Sequence, residues 1–97
     1  MRPFVLTLEA EADINEIWEY IASDNLDAAD RVREDFYSAM CRLIEMPFMG
    51  HVREDLTSRP LRFWPVGSYL VIYHIGDHRI DIVCVLHGQR DIPTILG

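Results

Sequence analysis

Ninety-seven residues can bury one hydrophobic core and are too few for two, so a single domain over 1–97 is expected. The chain is 49% hydrophobic and 26% charged, with mean hydropathy +0.01. That balance excludes a disordered or collagen-like chain, and no apolar run approaches the length needed to cross a bilayer. With a formal net charge of -7, the whole molecule is repelled by a polyphosphate backbone, which counts against nucleic acid as the primary partner.

Residues 2–8 hold Phe4, Val5, Leu6 and Thr7, a short β-rich run read as the first strand. Over 9–23, Ile14, Ile17, Trp18 and Ile21 recur at i, i+3, i+4 and i+7, with Glu9, Glu11, Glu16 and Glu19 mostly off that face. This is the pattern of an amphipathic helix, and acidic residues in its first turn suit the positive end of the helix dipole. Ser23-Asp24-Asn25 offers caps for a second helix over 26–46, carried by Ala29, Val32, Phe36, Ala39, Met40 and Leu43. Pro47 ends it, and Met46 to Gly50 reads as a turn.

Three further β-rich runs lie within 60–87, at Pro60–Pro65, Tyr69–Ile75 and Arg79–His87, separated by Val66-Gly67-Ser68 and Gly76-Asp77-His78. Breaks this short make an antiparallel meander. Residues 88–97 are left as a tail. The expected fold class is α+β in the order β-α-α-β-β-β, with an antiparallel helical hairpin on one face of a mainly antiparallel sheet.

Cys41 and Cys84 have neither zinc-type spacing nor a disulfide framework, and apolar neighbours predict burial for both. His51, His74, His78 and His87 are scattered, so no metal and no cofactor is expected. The acidic residue that follows the first apolar run leaves no stretch of signal-peptide length, and a cytoplasmic location is the expectation. Trp18 and Phe36, on the apolar helix faces, are read as core. All nine cations are arginine, a residue whose planar fork suits protein interfaces as well as phosphate. Charge is uneven: thirteen acidic residues and five arginines precede Leu56, while three aspartates and four arginines follow.

Several segments together resemble the ParE toxins of the RelE/ParE superfamily. They are Ala12-Asp13-Ile14-Asn15-Glu16-Ile17, Tyr20-Ile21-Ala22, Asn25, Ala28-Ala29 with Arg31, Pro47 and Gly50, Arg62, Gly67-Ser68-Tyr69, Tyr73, and Val85-Leu86-His87-Gly88-Gln89-Arg90-Asp91. The resemblance covers almost the whole chain in the family's order, and the final heptad is its most specific part. It implies the toxin of a type II toxin-antitoxin pair, a ParD-like antitoxin whose C-terminal segment folds on the toxin, DNA gyrase as target, and a hetero-oligomer with the antitoxin. The related RelE branch cleaves messenger RNA on the ribosome. Its nucleases place an arginine after the tyrosine of the Gly-Tyr segment, where this chain has Leu70, and a tyrosine near the C-terminus, where it has Leu96 or a neighbour. Only Arg90 matches that set, so a protein inhibitor without catalysis is expected; the alternatives are a RelE-type endoribonuclease and an antitoxin-binding homologue that is not toxic.

On this reading Arg59, Arg62, Phe63, Trp64 and Tyr69 are the candidate antitoxin-binding residues, the aromatics as half-buried anchors at a sheet edge. His87, Arg90 and Asp91 are the candidate residues for target binding and toxicity. His87 ends the last strand, and Arg90 and Asp91 follow on a tail that presents them without their being needed to fill the core, so that toxicity and antitoxin binding should separate on mutation. A solvated edge for Arg59 and Arg62, a hydrogen-bonded structural role for His87, and a surface ion pair between Arg90 and Asp91 are the competing explanations.

Overall fold

In the computed structural model, which describes residues 4–96, Thr7 starts the first helix by an ordinary cap: its hydroxyl accepts the Ala10 N–H at 3.0 Å. The helix, α1, runs Leu8–Ala22 and follows a three-residue strand β1, Phe4–Leu6. Arg2 and Pro3 of the expected first strand lie outside the described residues. Asn25, of the three candidate caps, accepts the Ala28 N–H at 3.0 Å and opens α2, Leu26–Glu45. A 3-10 turn at Pro47–Met49 ends the helical half, because the proline ring cannot continue an α-helix.

Among the described residues the sheet has five strands in the order β1-β5-β4-β3-β2: β2 is His51–Val52, β3 Arg62–Val66, β4 Tyr69–Ile75 and β5 Ile80–His87. The meander β3-β4-β5 is antiparallel, while β1 lies parallel to β5 because the helical hairpin carries the chain across between them. Two elements go beyond the expected order. The connection after α2 contributes the short edge strand β2, and the tail folds into a helix, α3, Ile92–Leu96.

One hairpin cannot cover both faces of a sheet. On the hairpin side, Ala10, Ile14, Phe36, Met40 and Leu43 pack against Val71, Tyr73, Ile80, Ile82 and Val85. On the other side a second core forms from Leu61, Phe63, Ile72, Cys84 and Leu86, closed by Ile92 and Leu96 of α3. The tail is therefore part of the packing through Ile92 and Leu96, while Arg90 and Asp91 stay exposed. Alternation along β5 breaks once: Ile72 pairs with Cys84 and Tyr73 with Ile82, leaving Val83 as an extra residue. This bulge sets Ile82 and Val85 on one face, and Cys84 and Leu86 on the other.

β1 stops short of the upper half of β5, which would leave that edge without a strand partner. Side chains at the start of α1 supply the partners instead. The Thr7 hydroxyl donates to the Val83 carbonyl at 2.7 Å, and the Asp13 carboxylate accepts the Val85 N–H at 3.0 Å. Asp13 is held above the usual carboxylate range, chiefly by burial and further by the nearby Glu9 and Glu16; the Val85 N–H and Arg90 oppose the rise without cancelling it.

Four residues from separate segments meet at the opposite end of β4. The Tyr73 hydroxyl donates to the Pro47 carbonyl at 2.6 Å and accepts the Gly50 N–H at 2.9 Å. Arg62 donates to the Gly50 carbonyl at 2.7 Å and lies 5.0 Å from the centre of the Phe48 ring. Burial raises the Tyr73 phenol above its ordinary value, keeping it a donor near neutral pH. Gly50 has no substitute here: an added Cβ would lie 2.6 Å from Tyr73 Cε1.

Two core assignments need correction. Trp18 is half-buried at the seam of the hairpin, where its indole N–H donates to Asp30 at 2.9 Å and the Arg33 guanidinium stacks 4.8 Å from the ring centre. Its polar N–H finds a surface partner there that the core would not provide. Cys41 points outward from α2, whereas Cys84 is buried and its thiol is pushed up to about 12.

Candidate functional site

Tyr69 opens β4 and His87 closes β5, and antiparallel register places them directly opposite each other. Their rings meet edge to face, with centroids 5.3 Å apart, and Tyr69 also packs edge-on against Phe36 of α2 at 5.7 Å. After His87 the chain turns sharply. The Gly88 N–H donates to the Ser68 carbonyl at 2.9 Å and the Arg90 N–H to the His87 carbonyl at 3.0 Å, which fixes Arg90 just beyond the strand end. The His87 Nδ1 accepts the Gln89 N–H at 3.1 Å, so a neutral imidazole carries its proton on Nε2.

Facing these residues, α1 presents Glu16, Ile17 and Tyr20. Together the six line a cleft of about 600 Å³ between the first helix and the end of the sheet. Ile17 and the Tyr69 ring give it an apolar lining, with Arg90 and His87 contributed by the end of the sheet and Glu16 by the helix. Tyr20 is 78% exposed at the rim, a large aromatic with little internal packing to justify its position. Among the described residues, neither Arg90 nor Glu16 forms an ion pair within 4.0 Å.

The candidate residues thus regroup. Tyr69, assigned from sequence to antitoxin binding, shares one cleft with His87 and Arg90, assigned to toxicity. Asp91 does not line that cleft and organises the turn that follows. Its carboxylate accepts the Thr94 hydroxyl at 2.7 Å and its carbonyl the Ile95 N–H, as at the start of a helix. Phe63 is only 3% exposed within the second core and cannot be a half-buried anchor, because β3 turns it away from the hairpin. Its neighbour Trp64 faces the hairpin side, half-buried against the first core. Arg59 donates to the Leu96 carbonyl at 3.3 Å and steadies the end of α3, while Arg62 belongs to the Gly50 tie. Sequence reasoning missed Glu16, Ile17 and Tyr20 as members of the site. A signal existed in Tyr20, an aromatic one position off the Ile14-Ile17-Trp18-Ile21 stripe.

The cleft offers an apolar seat with one charge of each sign at its margins, a surface suited to gripping a polypeptide side chain. No group of three or more potential metal-ligating side chains occurs among the described residues. The fold and site define a small α+β protein with a cleft between its first helix and the end of its sheet. The model of the family described as "ParE toxin of type II toxin-antitoxin system, parDE" matches residues 4–92. Toxin ParE1 of Caulobacter vibrioides is 33% identical over 99 residues and aligned over the full length of both chains. The putative toxin Y4kP of Sinorhizobium fredii is 31% identical over 90 residues, covering 93% of this chain and 92% of the relative. A solved structure described as a chromosomal ParDE toxin-antitoxin system from P. aeruginosa superposes with a TM-score of 0.75 at 17% identity, over 90% of this chain and 96% of that one. The chain belongs to the ParE toxin family of type II toxin-antitoxin systems.

Proposed function

We propose that this protein inhibits DNA gyrase by direct binding, without catalysis, and is neutralised in a hetero-oligomer with a ParD-like antitoxin. The observation that carries the reading is the family membership over residues 4–92. The cleft adds to it: exposed Tyr20 beside Tyr69, with an Arg90 that forms no ion pair among the described residues, is the composition of a protein-binding hot spot. His87 and Arg90 are the proposed target-binding residues, with Asp91 setting the turn that presents them. The antitoxin is proposed to engage Tyr69 and the adjacent hairpin, with Trp64 at its margin. The cytoplasm, where both partners would be made, is the proposed location; among the described residues no helix is long and apolar enough to cross a membrane.

Two positions favour inhibition over the nuclease alternative. General acid-base cleavage of RNA needs a proton acceptor, a donor and cations around the reacting phosphate. Leu70 packs toward the second core on the face away from the cleft, and Leu96 is buried in that core. The overall charge of -7 further disfavours RNA. Expression without antitoxin tests the proposal: filamentation with a DNA-damage response is expected, and purified protein should inhibit gyrase-catalysed supercoiling while leaving ribosome-bound messenger RNA intact. Site-specific cleavage in the ribosomal A site would overturn it in favour of the nuclease.

A further inference from the structure

We propose that a separate cavity, between the two long helices and the end of β1, binds a small zwitterion of the α-amino-acid class, with its carboxylate on Arg33, its ammonium on Glu11 and an apolar side chain against Leu6 and Ile14. The cavity measures about 380 Å³ and is lined by Leu6, Glu11, Ile14, Asn15, Arg33 and Tyr37. It shares no residue with the cleft described above, and the proposed inhibition of gyrase makes no use of it.

Arg33 is held in place for an anion it does not have. Its guanidinium lies 4.8 Å from the centre of the Trp18 ring, and Trp18 is itself anchored by its indole N–H, which donates to Asp30 at 2.9 Å. The cation is therefore half-buried and positioned, yet among the described residues it forms no ion pair within 4.0 Å. A planar fork fixed over an aromatic face is preorganised to take a ligand carboxylate through two parallel hydrogen bonds. The hairpin sets the other polar groups around the same space. Glu11 and Asn15 stand one turn apart on α1, and Arg33 and Tyr37 one turn apart on α2. Tyr37 is steadied by Phe4, with ring centroids 6.2 Å apart. Arg33 sits beside Trp18, two turns or about 11 Å along α1 from Glu11. The two charges line one cavity without touching, and a ligand that carries both signs can bridge them.

One charge of each sign selects the class of ligand. A phosphate or other polyanion would meet Glu11 inside the cavity and a molecule of charge -7 around it, and a polyamine would meet Arg33. A wholly apolar ligand would displace water from the Arg33 fork and the Glu11 carboxylate and leave both without partners. An α-amino acid matches the whole lining. Its carboxylate accepts from Arg33, its ammonium donates to Glu11 and to the side-chain oxygen of Asn15 or Tyr37, and its side chain rests on Leu6 and Ile14.

The test uses the full chain, with L-leucine, L-isoleucine and L-phenylalanine as probes. A ligand that bridges the two helices stabilises the folded state, so at least one probe is expected to raise the melting temperature in a saturable way. The same probe should shift the Trp18 indole resonance in nuclear magnetic resonance spectra and leave that of Trp64, which does not line the cavity, in place. Arg33→Met keeps an unbranched side chain over Trp18 and removes the fork, and it should weaken binding by about tenfold or more. Replacing the best probe by its amide, which lacks the carboxylate, should do the same without any change to the protein. Glu11→Gln should reduce the preference for the free amino acid over its N-acetyl form. No saturable response to any of the three probes up to about 10 mM would overturn the proposal. So would a response that survives Arg33→Met, or equal binding of the N-acetyl amide, which would make the cavity a seat for a polypeptide side chain. Preferential binding of inorganic phosphate would also overturn it, leaving Arg33 as a simple anion site. None of these outcomes alters the proposed inhibition of gyrase, which is read from separate experiments.

Discussion

Asp13 shows how one side chain can complete a sheet. Its carboxylate stands where a neighbouring strand's carbonyl would be, accepting the Val85 N–H beyond the end of β1. That hydrogen bond favours the charged form, yet burial outweighs it and Glu9 and Glu16 add to the rise, so the carboxyl titrates above its usual range. A folded-state pKa above the unfolded one means that the native protein holds the proton more tightly. The contribution of Asp13 to stability is then fully present below the unfolded carboxylate range and falls as pH rises through the folded value. Asp13→Asn keeps an acceptor for Val85 and removes the buried charge. It should be at least as stable as the parent at neutral pH, with a flatter stability profile just above the ordinary carboxylate range. Asp13→Ala leaves the N–H unpaired and should lose about 1 kcal/mol or more. Urea titrations across about pH 3 to 7, the span on either side of that range, check both; a less stable Asn than Ala variant would refute this role for Asp13.

At the scale of elements, the join between the helical and sheet halves depends on Tyr73. Its hydroxyl bridges the Pro47 carbonyl and the Gly50 N–H, and Arg62 grips the Gly50 carbonyl from the neighbouring strand. Removing the hydroxyl in Tyr73→Phe leaves a buried donor unpaired and should lower stability by about 1–3 kcal/mol, with amides of the 46–52 segment losing protection first in hydrogen exchange. Unchanged stability and protection would show that water replaces the hydroxyl at no penalty. These four residues, Pro47, Gly50, Arg62 and Tyr73, are legible in the sequence as parts of a family pattern, but nothing in their spacing shows that they touch. The helix in the tail is hidden for a related reason. Ile92, Ile95 and Leu96 are only three apolar residues in a short stretch, too few to register as a helix, and the burial of Ile92 and Leu96 depends on a second sheet face that the sequence does not reveal.

For the whole molecule, the two thiols give a measure of cooperativity. Cys84 lies on β5, between β1 and β4 in the sheet order, 2% exposed and with its thiol pushed up to about 12, whereas Cys41 is on the surface of α2. A thiolate is the reactive species, so a disulfide reagent should label one cysteine rapidly in native buffer and the second only as fast as the protein opens. Equal native labelling of both would contradict the buried position of Cys84. The sequence by itself determined the β-α-α-β-β-β frame, the helical hairpin and the resemblance to the family, because periodicity, caps and breakers act over a few residues and are written locally. It also placed Tyr69, His87 and Arg90 among the functional candidates. Tertiary structure alone decided that these three form one cleft with Glu16, Ile17 and Tyr20, that Phe63 lies in the core, and that α3 closes the second face. The physical reason is register: which residues stand opposite each other depends on the bulge at Val83 and on where α1 crosses the edge of β5, and both are settled only when the sheet packs.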